Sequence, residues 1–326
     1  MKRRNLLTGI VTAGAAATLS ASPQQSTPGA ASGPYIERPA EGQPHKGKVL
    51  LAIQAHNDDI SLSSAGTVAK LVEEGYTGYM VRATNDDMGD AFGLGTMGTI
   101  GENVLGNEKD MQRITDILGC KKLYNLNYNN HRMGGAALNE VICRMILIIR
   151  ITKADTVMCW DPWAHDEENP DHYTIARAVE AACWMAGRAH DYPEQFDAGL
   201  QPHTVTDKYY FARRPEITRV VDVSKQVDKK IEAMRANVWK GPAGDHGSRL
   251  KAELAKKNMR LPLLDGDDET ANRNYIRQFS LTRSRQLGQR YGLEYAEVFH
   301  YVGPNASGGE RGNTVDNYVK EHAVSL

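Results

Sequence analysis

The chain has 326 residues, with 39 Lys and Arg against 40 Asp and Glu, which gives a formal net charge of −1. Hydrophobic residues make up 41% and charged residues 24%, so the composition excludes a disordered chain or a coiled coil. A net charge near zero provides no general attraction to nucleic acid, and we expect no nucleic-acid partner. The longest apolar runs after the N-terminus, Val49–Ile53 and Met145–Ile149, are too short to span a bilayer.

The N-terminus has the layout of an export signal. Arg3 and Arg4 precede a mildly apolar run, rich in Gly and Ala, that reaches about Leu19, as is typical of the twin-arginine route. We predict a signal peptide over residues 1–31, with cleavage near residue 21 or residue 31, and therefore a periplasmic or secreted protein. The alternative is a basic tail leading into a surface helix. Recurring prolines predict an extended linker over residues 32–46.

The rest of the chain alternates predicted strands and helices. Lys48–Ala55 is a near-continuous apolar run, which is typical of a parallel strand buried on both faces. Further strands are predicted at 79–83, 122–126, 156–160, 209–211, 219–223 and 296–301. Helices are predicted at 61–74, 107–118, 138–151, 171–185, 224–238 and 281–291. This alternation predicts an α/β fold, with an open, mostly parallel sheet and helices on both faces.

Three boundaries follow from this pattern. Residues 47–303 form the predicted α/β domain, and residues 304–326 form a C-terminal tail. Inside the domain, residues 240–275 are polar, with glycines and many charges, and we predict a long excursion or lid there.

Ionisable residues crowd the end of the first predicted strand. His56, Asp58 and Asp59 lie in the sequence Ala-His-Asn-Asp-Asp-Ile at residues 55–60. Open α/β sheets place their ligands at the C-terminal ends of the strands. A His and an Asp three residues apart in a tight turn can both bind one Zn²⁺. Asp58 projects differently from its neighbours and is therefore free to act as a base.

A second cluster follows the strand predicted at 156–160. There His172 lies in the first turn of a predicted helix. Because parallel strands end on the same side of a sheet, His56, Asp59 and His172 can meet around one ion with a fourth position open for water. Such an open position is typical of a catalytic zinc site, and we predict one Zn²⁺ per chain. The alternative is a turn in which Asp59 only caps the next helix.

The two clusters resemble the motifs of the PIG-L/LmbE-type deacetylases, zinc enzymes that hydrolyse the N-acetyl group of glucosamine-containing molecules. The family motif A-H-P-D-D-E corresponds to residues 55–60, and the family motif H-P-D-H corresponds to Asn-Pro-Asp-His at residues 169–172. Weaker agreement, in the family's order, spans roughly residues 47 to 300. The resemblance implies a Rossmann-like fold. It also implies that His56, Asp59 and His172 are zinc ligands and that Asp58 is the general base.

The resemblance is not complete around the predicted proton donor. Asn169 stands where the family has a histidine that is thought to act as an acid or to stabilise the oxyanion. Asparagine can donate a hydrogen bond, but it cannot transfer a proton at neutral pH. Either Asp58 carries the proton alone or another histidine has taken over, and the candidates are His165, His131 and His246. Two further departures, Asn57 for Pro and Ile60 for Glu, leave the ligands unchanged.

Three more residues are candidate contacts to the substrate. Asp87 follows the second strand, Asn130 stands where the family has an aspartate, and Asp171 precedes His172. Asp171 has two other interpretations, a hydrogen bond to a ligand histidine or a charge at a helix N-terminus. Gly93–Gly98 spells G-x-G-x-x-G, but it lies well past the second strand, so it predicts a loop beside the site rather than a dinucleotide site.

The sequence therefore predicts a zinc-dependent amide hydrolase that removes an N-acetyl group from an N-acetylated amino sugar or glycoconjugate. Its partner is a small-molecule or glycan substrate, and the sequence does not predict an oligomeric state. Two alternatives remain, a secreted carbohydrate-binding protein with little turnover and an amide hydrolase for a thiol conjugate. Asp58 favours catalysis, because a binding module needs no base beside its metal.

Overall fold

The computed structural model describes residues 33–89, 98–212, 214–241, 243–304 and 314–325. The predicted signal peptide at 1–31 and residues 93–97 of the glycine motif lie outside these ranges. Among the helices of the described ranges, none combines the length and apolar character that crossing a bilayer requires.

The described residues form one mixed sheet with helices around it. The strands are β1 (Tyr35–Glu37), β2 (Val49–Gln54), β3 (Thr77–Thr84), β4 (Lys122–Tyr128), β5 (Thr156–Trp160), β6 (Asp207–Phe211), β7 (Arg219–Asp222) and β8 (Ala296–Val302). The helices are α1 (Asp59–Ser63), α2 (Ala65–Glu73), α3 (Ile100–Ile117), α4 (Leu138–Thr152), α5 (Pro170–Met185), α6 (Glu194–Asp197), α7 (Val227–Ala236), α8 (His246–Lys256), α9 (Asp268–Tyr275), α10 (Thr282–Arg290) and α11 (Thr314–His322).

The sheet has the strand order β1-β7-β8-β6-β5-β2-β3-β4. Only β8 runs antiparallel to its neighbours, β6 and β7, and every other pair is parallel. The predicted α/β class with a mostly parallel sheet is thus confirmed. From β2 the chain moves to β3 on one side and returns to β5 on the other, so a switch in strand order falls between β2 and β5. Open α/β sheets form their ligand crevices at such a point.

Alternate residues of β2 enter two different hydrophobic cores. Leu50 and Ala52 pack with side chains of α2, α3 and α7 on one face. Leu51 and Ile53 pack with side chains of α4 and α5 on the other face. Because both faces of the strand are buried, β2 is a continuous apolar run rather than an alternating one.

Two segments contain more regular structure than their composition indicates. Tyr35–Glu37, inside the predicted linker 32–46, is strand β1 and pairs with β7. The predicted excursion 240–275 contains α8 and α9, and α9 continues through a π-helical turn, Ile276–Ser280, towards α10. About half of its charged residues lie on these helices, where pairs such as Arg273 with Glu269 stabilise the turns.

Candidate metal centre

The loop after β2 is shaped by the side chain of Asp59. One carboxylate oxygen, Oδ2, accepts hydrogen bonds from the backbone N–H groups of Ala55 at 2.8 Å and His56 at 3.0 Å. Gln54 closes the same loop by accepting the N–H of Ile60 at 3.0 Å. These contacts leave Oδ1 of Asp59 facing the two histidines, so the residue both forms the turn and offers a ligand atom.

His172 reaches the site from the first turn of α5. Asn169 is the N-cap of this helix, and its side-chain oxygen accepts the N–H of Asp171 at 3.0 Å. Pro170 follows at the first helical position, where its missing N–H has no cost. The ring of His172 stacks on Trp160, the last residue of β5, with ring centroids 3.9 Å apart and an angle of 15° between the planes. The neighbouring strands β2 and β5 thereby bring His172 against His56.

Three ligand atoms converge on one point. Nδ1 of His56 and Nε2 of His172 lie 2.9 Å apart, and Oδ1 of Asp59 lies 3.4 Å from the first-turn histidine His172 and 3.8 Å from His56. In a tetrahedral zinc site with bonds near 2.1 Å, ligand atoms are about 3.4 Å apart. Among the residues that the structure describes, His56, Asp59 and His172 are thus close enough together to bind one metal ion.

The outer nitrogens of both histidines are held by carboxylates. Nε2 of His56 lies 3.0 Å from Asp171, and Nδ1 of His172 lies 3.1 Å from Glu167. A carboxylate accepts, so both outer nitrogens carry hydrogen, and the two inner nitrogens of neutral rings then face each other with lone pairs. Such a pair at 2.9 Å is stabilised by a positive charge between the two nitrogens, either a shared proton or a metal ion. The donor set therefore fits a metal ion, and the carboxylates orient its ligands.

Charges around the cluster favour a positive charge at its centre. Burial and the charge of Lys240 oppose protonation of His56, yet hydrogen bonds to Asp171 and Asp59 raise its pKa to about 10. Burial likewise opposes ionisation of Asp59, but His172 and His56 hold the pKa of this carboxyl well below its usual range. These contacts favour a positive charge at the centre of the cluster, which suits a bound cation.

Asp58 is not one of the three candidate ligands, but it lines the cavity that borders them, together with Asp59 and His172. Burial raises the pKa of its carboxyl, Lys240 opposes the shift, and the negative charges of Asp59 and Asp86 add to it. A carboxyl with a raised pKa is a stronger base than an ordinary aspartate. Asp58 therefore has the placement and basicity to exchange protons with a molecule at the metal centre.

The candidate proton donors lie at different distances from the cluster. The ring of His131 is edge-on to that of His56, with centroids 6.2 Å apart. Burial, together with the positive charges of His56 and Lys240, lowers the pKa of His131, so its ring is neutral near pH 7. His165 is exposed in the loop before α5, while His246 begins α8 with its ring 5.9 Å from that of Tyr275. Of the three histidines, His131 has a ring contact with the cluster.

The side chains predicted to contact the substrate mostly form hydrogen bonds within the protein. Asp171 is fully buried, and its oxygens accept from His56, from the N–H of His131 at 2.5 Å and from the N–H of Met133 at 3.0 Å. The structure thus places Asp171 behind a ligand histidine rather than at the cavity surface. Asp87 accepts the N–H of Asn130 at 2.7 Å, and Asn130 is itself buried. These two residues shape the loops around the site.

Two residues with clear positions were not assigned a role from the sequence. Glu167 orients His172, and Lys240 places its ammonium group 2.7 Å from Asp86. Burial opposes the charge on Lys240, but Asp86 and Asp58 raise its pKa, so it stays protonated. Glu167 lies in the second ionisable cluster, so its proximity to His172 was a usable signal. Lys240 lies in the predicted excursion 240–275, and nothing in its local sequence distinguishes it from the lysines that lie on the surface.

A cavity of about 590 Å³ borders the cluster. Asp58, Asp59, His172 and Trp160 line it, together with residues of β6, β8 and α10. The remaining wall has an apolar part, which includes Phe211, Ile217, Leu281, Leu287 and Val298, and a charged part, which includes Arg214, Lys230, Arg283 and Glu297. The cavity is much larger than an acetyl group, so a molecule bound at the metal centre has room for a further substituent.

The segment that carries the cluster is similar to known proteins. Residues 51–183 match the family model described as PIG-L: GlcNAc-PI de-N-acetylase, and this segment contains every residue of the cluster. The chain is 27% identical over 197 residues to the diacetylchitobiose deacetylase of Thermococcus kodakarensis, covering 58% of this chain and 69% of that one. Residues 51–183 are therefore similar to the PIG-L family model, and the chain is similar to a deacetylase of an acetylated sugar.

A second relative is more distant but is covered more completely. The chain is 24% identical over 258 residues to the 1D-myo-inositol 2-acetamido-2-deoxy-alpha-D-glucopyranoside deacetylase of Mycobacteroides abscessus, covering 66% of this chain and 88% of that one. Both of these relatives are named as deacetylases of acetylated sugars.

Solved structures share the fold. The N,N'-diacetylchitobiose deacetylase of Pyrococcus horikoshii superposes with a TM-score of 0.61 at 21% identity, covering 83% of this chain and 88% of that one. GalB, the 4-carboxy-2-hydroxymuconate hydratase of Pseudomonas putida, has a TM-score of 0.57 at 18% identity, covering 79% and 97%. A deacetylase and a hydratase thus share this architecture, so function has to be argued from the site.

Proposed function

We propose that this protein is a zinc-dependent amide hydrolase that removes an N-acetyl group from an N-acetylated amino sugar or glycoconjugate. The observation that carries the proposal is the meeting of His56, Asp59 and His172 around one point, with Asp58 lining the same cavity. The PIG-L match and the deacetylase names of the relatives support the reaction type. We also propose that PIG-L family membership extends over the whole α/β domain.

The ligand set fits zinc in its chemistry as well as its spacing. Two imidazoles and one carboxylate, His56, His172 and Asp59, are common ligands of catalytic zinc, and a fourth position is left for substrate or water. A zinc ion held there supplies Lewis-acid polarisation of the amide carbonyl and lowers the pKa of the attacking water. Asp171 and Glu167 keep the two rings in the tautomer that ligation requires.

Asp58 performs both proton transfers in this mechanism. It takes a proton from the attacking water as the water oxygen bonds to the acetyl carbon. It returns that proton to the amide nitrogen as the C–N bond breaks, which releases acetate and the free amine. A single carboxylate suffices because the proton gained in the first step is the proton given in the second.

His131 is the candidate donor to the oxyanion. Its ring lies beside that of His56, and its lowered pKa leaves a neutral imidazole, which still donates one N–H. Asn169 uses its side-chain oxygen as the N-cap of α5, and its amide NH2 group is a second candidate donor. The charge that develops on the carbonyl oxygen is stabilised by such fixed donors.

The cavity supports a glycoconjugate rather than a free monosaccharide. Its apolar wall of Ile217, Leu287 and Val298 suits a substituent with little polarity, and Arg283 on α10 adds a positive charge to the lining. We propose that the amino sugar lies at the metal and that the group attached to it extends along this wall.

Replacement of Asp58 separates an enzyme from a binding protein. Asp58→Asn keeps the side-chain shape but removes the base, so acetate release should fall on the order of 10²–10⁴-fold while zinc content stays the same. Acetate would be measured with N-acetylated sugars including N,N'-diacetylchitobiose, and zinc by elemental analysis. Asp268→Asn on exposed α9 is the matched control and should keep the full rate. Undiminished acetate release by Asp58→Asn would contradict the mechanism, and inert wild-type protein would contradict the proposed enzyme.

A further inference from the structure

The loop that carries two metal ligands is tied to the rest of the protein through Asn57. Its backbone N–H donates to Oδ2 of Asp86 at 3.0 Å. The PIG-L-type motif has proline at this place, and proline has no N–H to donate. The contact is therefore made possible by a departure of this chain from the motif that it resembles.

The side chain of Asn57 adds contacts to two more residues. Its amide nitrogen donates to the backbone oxygen of Asn107 at 2.6 Å and to the side-chain oxygen of Asn107 at 3.0 Å, and its own oxygen accepts from Nη1 of Arg82 at 3.0 Å. All three residues are fully buried. Unmet polar groups at such depth are costly, so each contact restricts where the loop can lie.

Asp86 is a buried anion that requires compensation. Its side chain is inaccessible to solvent, and its backbone lies in the left-handed region with φ of 55°. Oδ1 lies 2.7 Å from Nζ of Lys240 and also accepts from Asn130 at 3.4 Å. Lys240 thus supplies a full positive charge opposite the carboxylate that holds Asn57.

The segment before Lys240 is fixed on α3. The N–H groups of Val238 and Trp239 both donate to one oxygen of Asp110, at 2.7 and 2.8 Å. The indole of Trp239 lies on Gly106, where a Cβ would come within 2.1 Å of the ring. These contacts restrict the segment before Lys240 and therefore position the lysine beside Asp86.

We propose that Lys240 and Asp86 are positioning residues, which set the place of the metal-ligand loop through the backbone N–H of Asn57. The path runs from α3 through the ion pair to Asn57, whose neighbour His56 is a ligand. Loss of the ion pair releases the loop, so the metal site becomes less well formed. The expected effect on rate rests on the proposed hydrolase activity, whereas the expected effect on zinc affinity rests only on the proposed metal site.

The first experiment measures zinc affinity by competition with a chromophoric chelator. Partners that orient metal ligands typically contribute 10–100-fold in affinity, and we expect a loss of about this size in Lys240→Met. Lys240→Arg keeps the charge and should recover most of the affinity. Lys229→Met, which removes a lysine from an exposed pair with Glu73, is the matched control and should bind zinc as the wild type does.

The second experiment tests the path through Asn57. Asn57→Ala keeps the backbone N–H that Asp86 accepts, while Asn57→Pro introduces the motif residue and removes it. In an Asn57→Pro background, Lys240→Met should have a much smaller effect than in the wild type or in Asn57→Ala. Thermal unfolding of each variant shows whether it is folded, and if Lys240→Met does not fold, Lys240→Gln takes its place.

Two results would overturn the proposal. One is unchanged or increased zinc affinity in a folded Lys240→Met protein, since removing a nearby positive charge would by itself favour a cation at the cluster. The other is equal loss from Lys240→Met in all three backgrounds, since independent effects would mean that the ion pair only neutralises Asp86. If zinc affinity follows the proposal but no variant or wild-type protein releases acetate, the positioning role stands and the proposed function fails.

Discussion

At the scale of single residues, the site depends on carboxylates with three different tasks. In the proposed mechanism Asp59 ligates the metal and Asp58 exchanges protons, while Asp171 and Glu167 lie against the outer nitrogens of the two histidines and orient them. Local spacing predicts the first two tasks, because residues in one tight turn have few arrangements. The orienting carboxylates depend on which loop lies behind each ring, and this is decided by tertiary packing that spacing does not encode.

Replacement of His131 tests the candidate oxyanion donor. His131→Ala removes an N–H donor beside the cluster, so the turnover number should fall by about 10²-fold while KM and zinc content change little. His165→Ala removes an exposed histidine of the loop before α5 and should leave the rate unchanged. Steady-state kinetics of both variants with one acetylated sugar provides the measurement. An equal rate loss in the two variants, or none in His131→Ala, would remove His131 from the mechanism.

At the scale of secondary structure, the central strands were predictable because they are short, nearly continuous apolar runs, as is typical of strands buried on both faces of a sheet. Strand β5 is Thr-Val-Met-Cys-Trp, a short apolar run with β-branched and aromatic residues, which is typical of a strand buried in a sheet. Strand β1 has only three residues, Tyr-Ile-Glu, among prolines and polar residues, so no local pattern predicts it. It joins the sheet because Glu37 meets Lys70 at 2.9 Å and Arg219 at 2.7 Å, partners that are remote in sequence.

The stability of the β1 attachment should depend on Glu37. Glu37→Gln leaves two buried cations without this carboxylate, so unfolding at neutral pH should become easier by about 3 kcal/mol. Glu73→Gln breaks an exposed pair with Lys229 and should cost less than about 1 kcal/mol. Denaturant titrations of both variants against the wild type provide the comparison. A loss no larger for Glu37→Gln than for Glu73→Gln would show that β1 is held by its backbone pairing alone.

The same residue predicts a dependence on pH. Burial opposes ionisation, but Lys70 and Arg219 hold the pKa of Glu37 below its usual range. A lowered pKa in the folded state means that this contribution is fully present above the unfolded-state pKa. It disappears as the pH falls through the folded-state pKa. The stability difference between wild type and Glu37→Gln should therefore shrink in acid.

At the scale of the whole molecule, the predicted signal peptide determines where the enzyme would act. We propose that the protein is exported through the twin-arginine route, on the basis of Arg3 and Arg4. Replacing both with lysine keeps the charge but removes the pair, so translocation should stop and the precursor should accumulate inside the cell. Fractionation followed by immunoblotting detects the two forms. Normal export of the double variant would contradict the twin-arginine route.

The sheet itself explains why distant parts of the sequence meet at one centre. Strands β2 and β5 are neighbours, and their C-terminal ends face the same edge, so His56 and His172 meet across more than a hundred residues of chain. Strand order cannot be deduced from periodicity, but the parallel character of the sheet was enough to predict that these ends share an edge. The position of Lys240 could not be predicted in this way, because it depends on how the segment after α7 packs against α3.

Metal-dependent release of acetate tests the central claim most directly. The protein would be purified with zinc, stripped with a chelator and reloaded, and each form assayed for acetate release from a panel of N-acetylated sugars and glycoconjugates. His172→Ala would be assayed beside it. We predict about one zinc per chain, activity that is lost on stripping and restored on reloading, and little zinc or activity in His172→Ala. Acetate release that is unaffected by stripping, or full zinc occupancy in His172→Ala, would contradict the account.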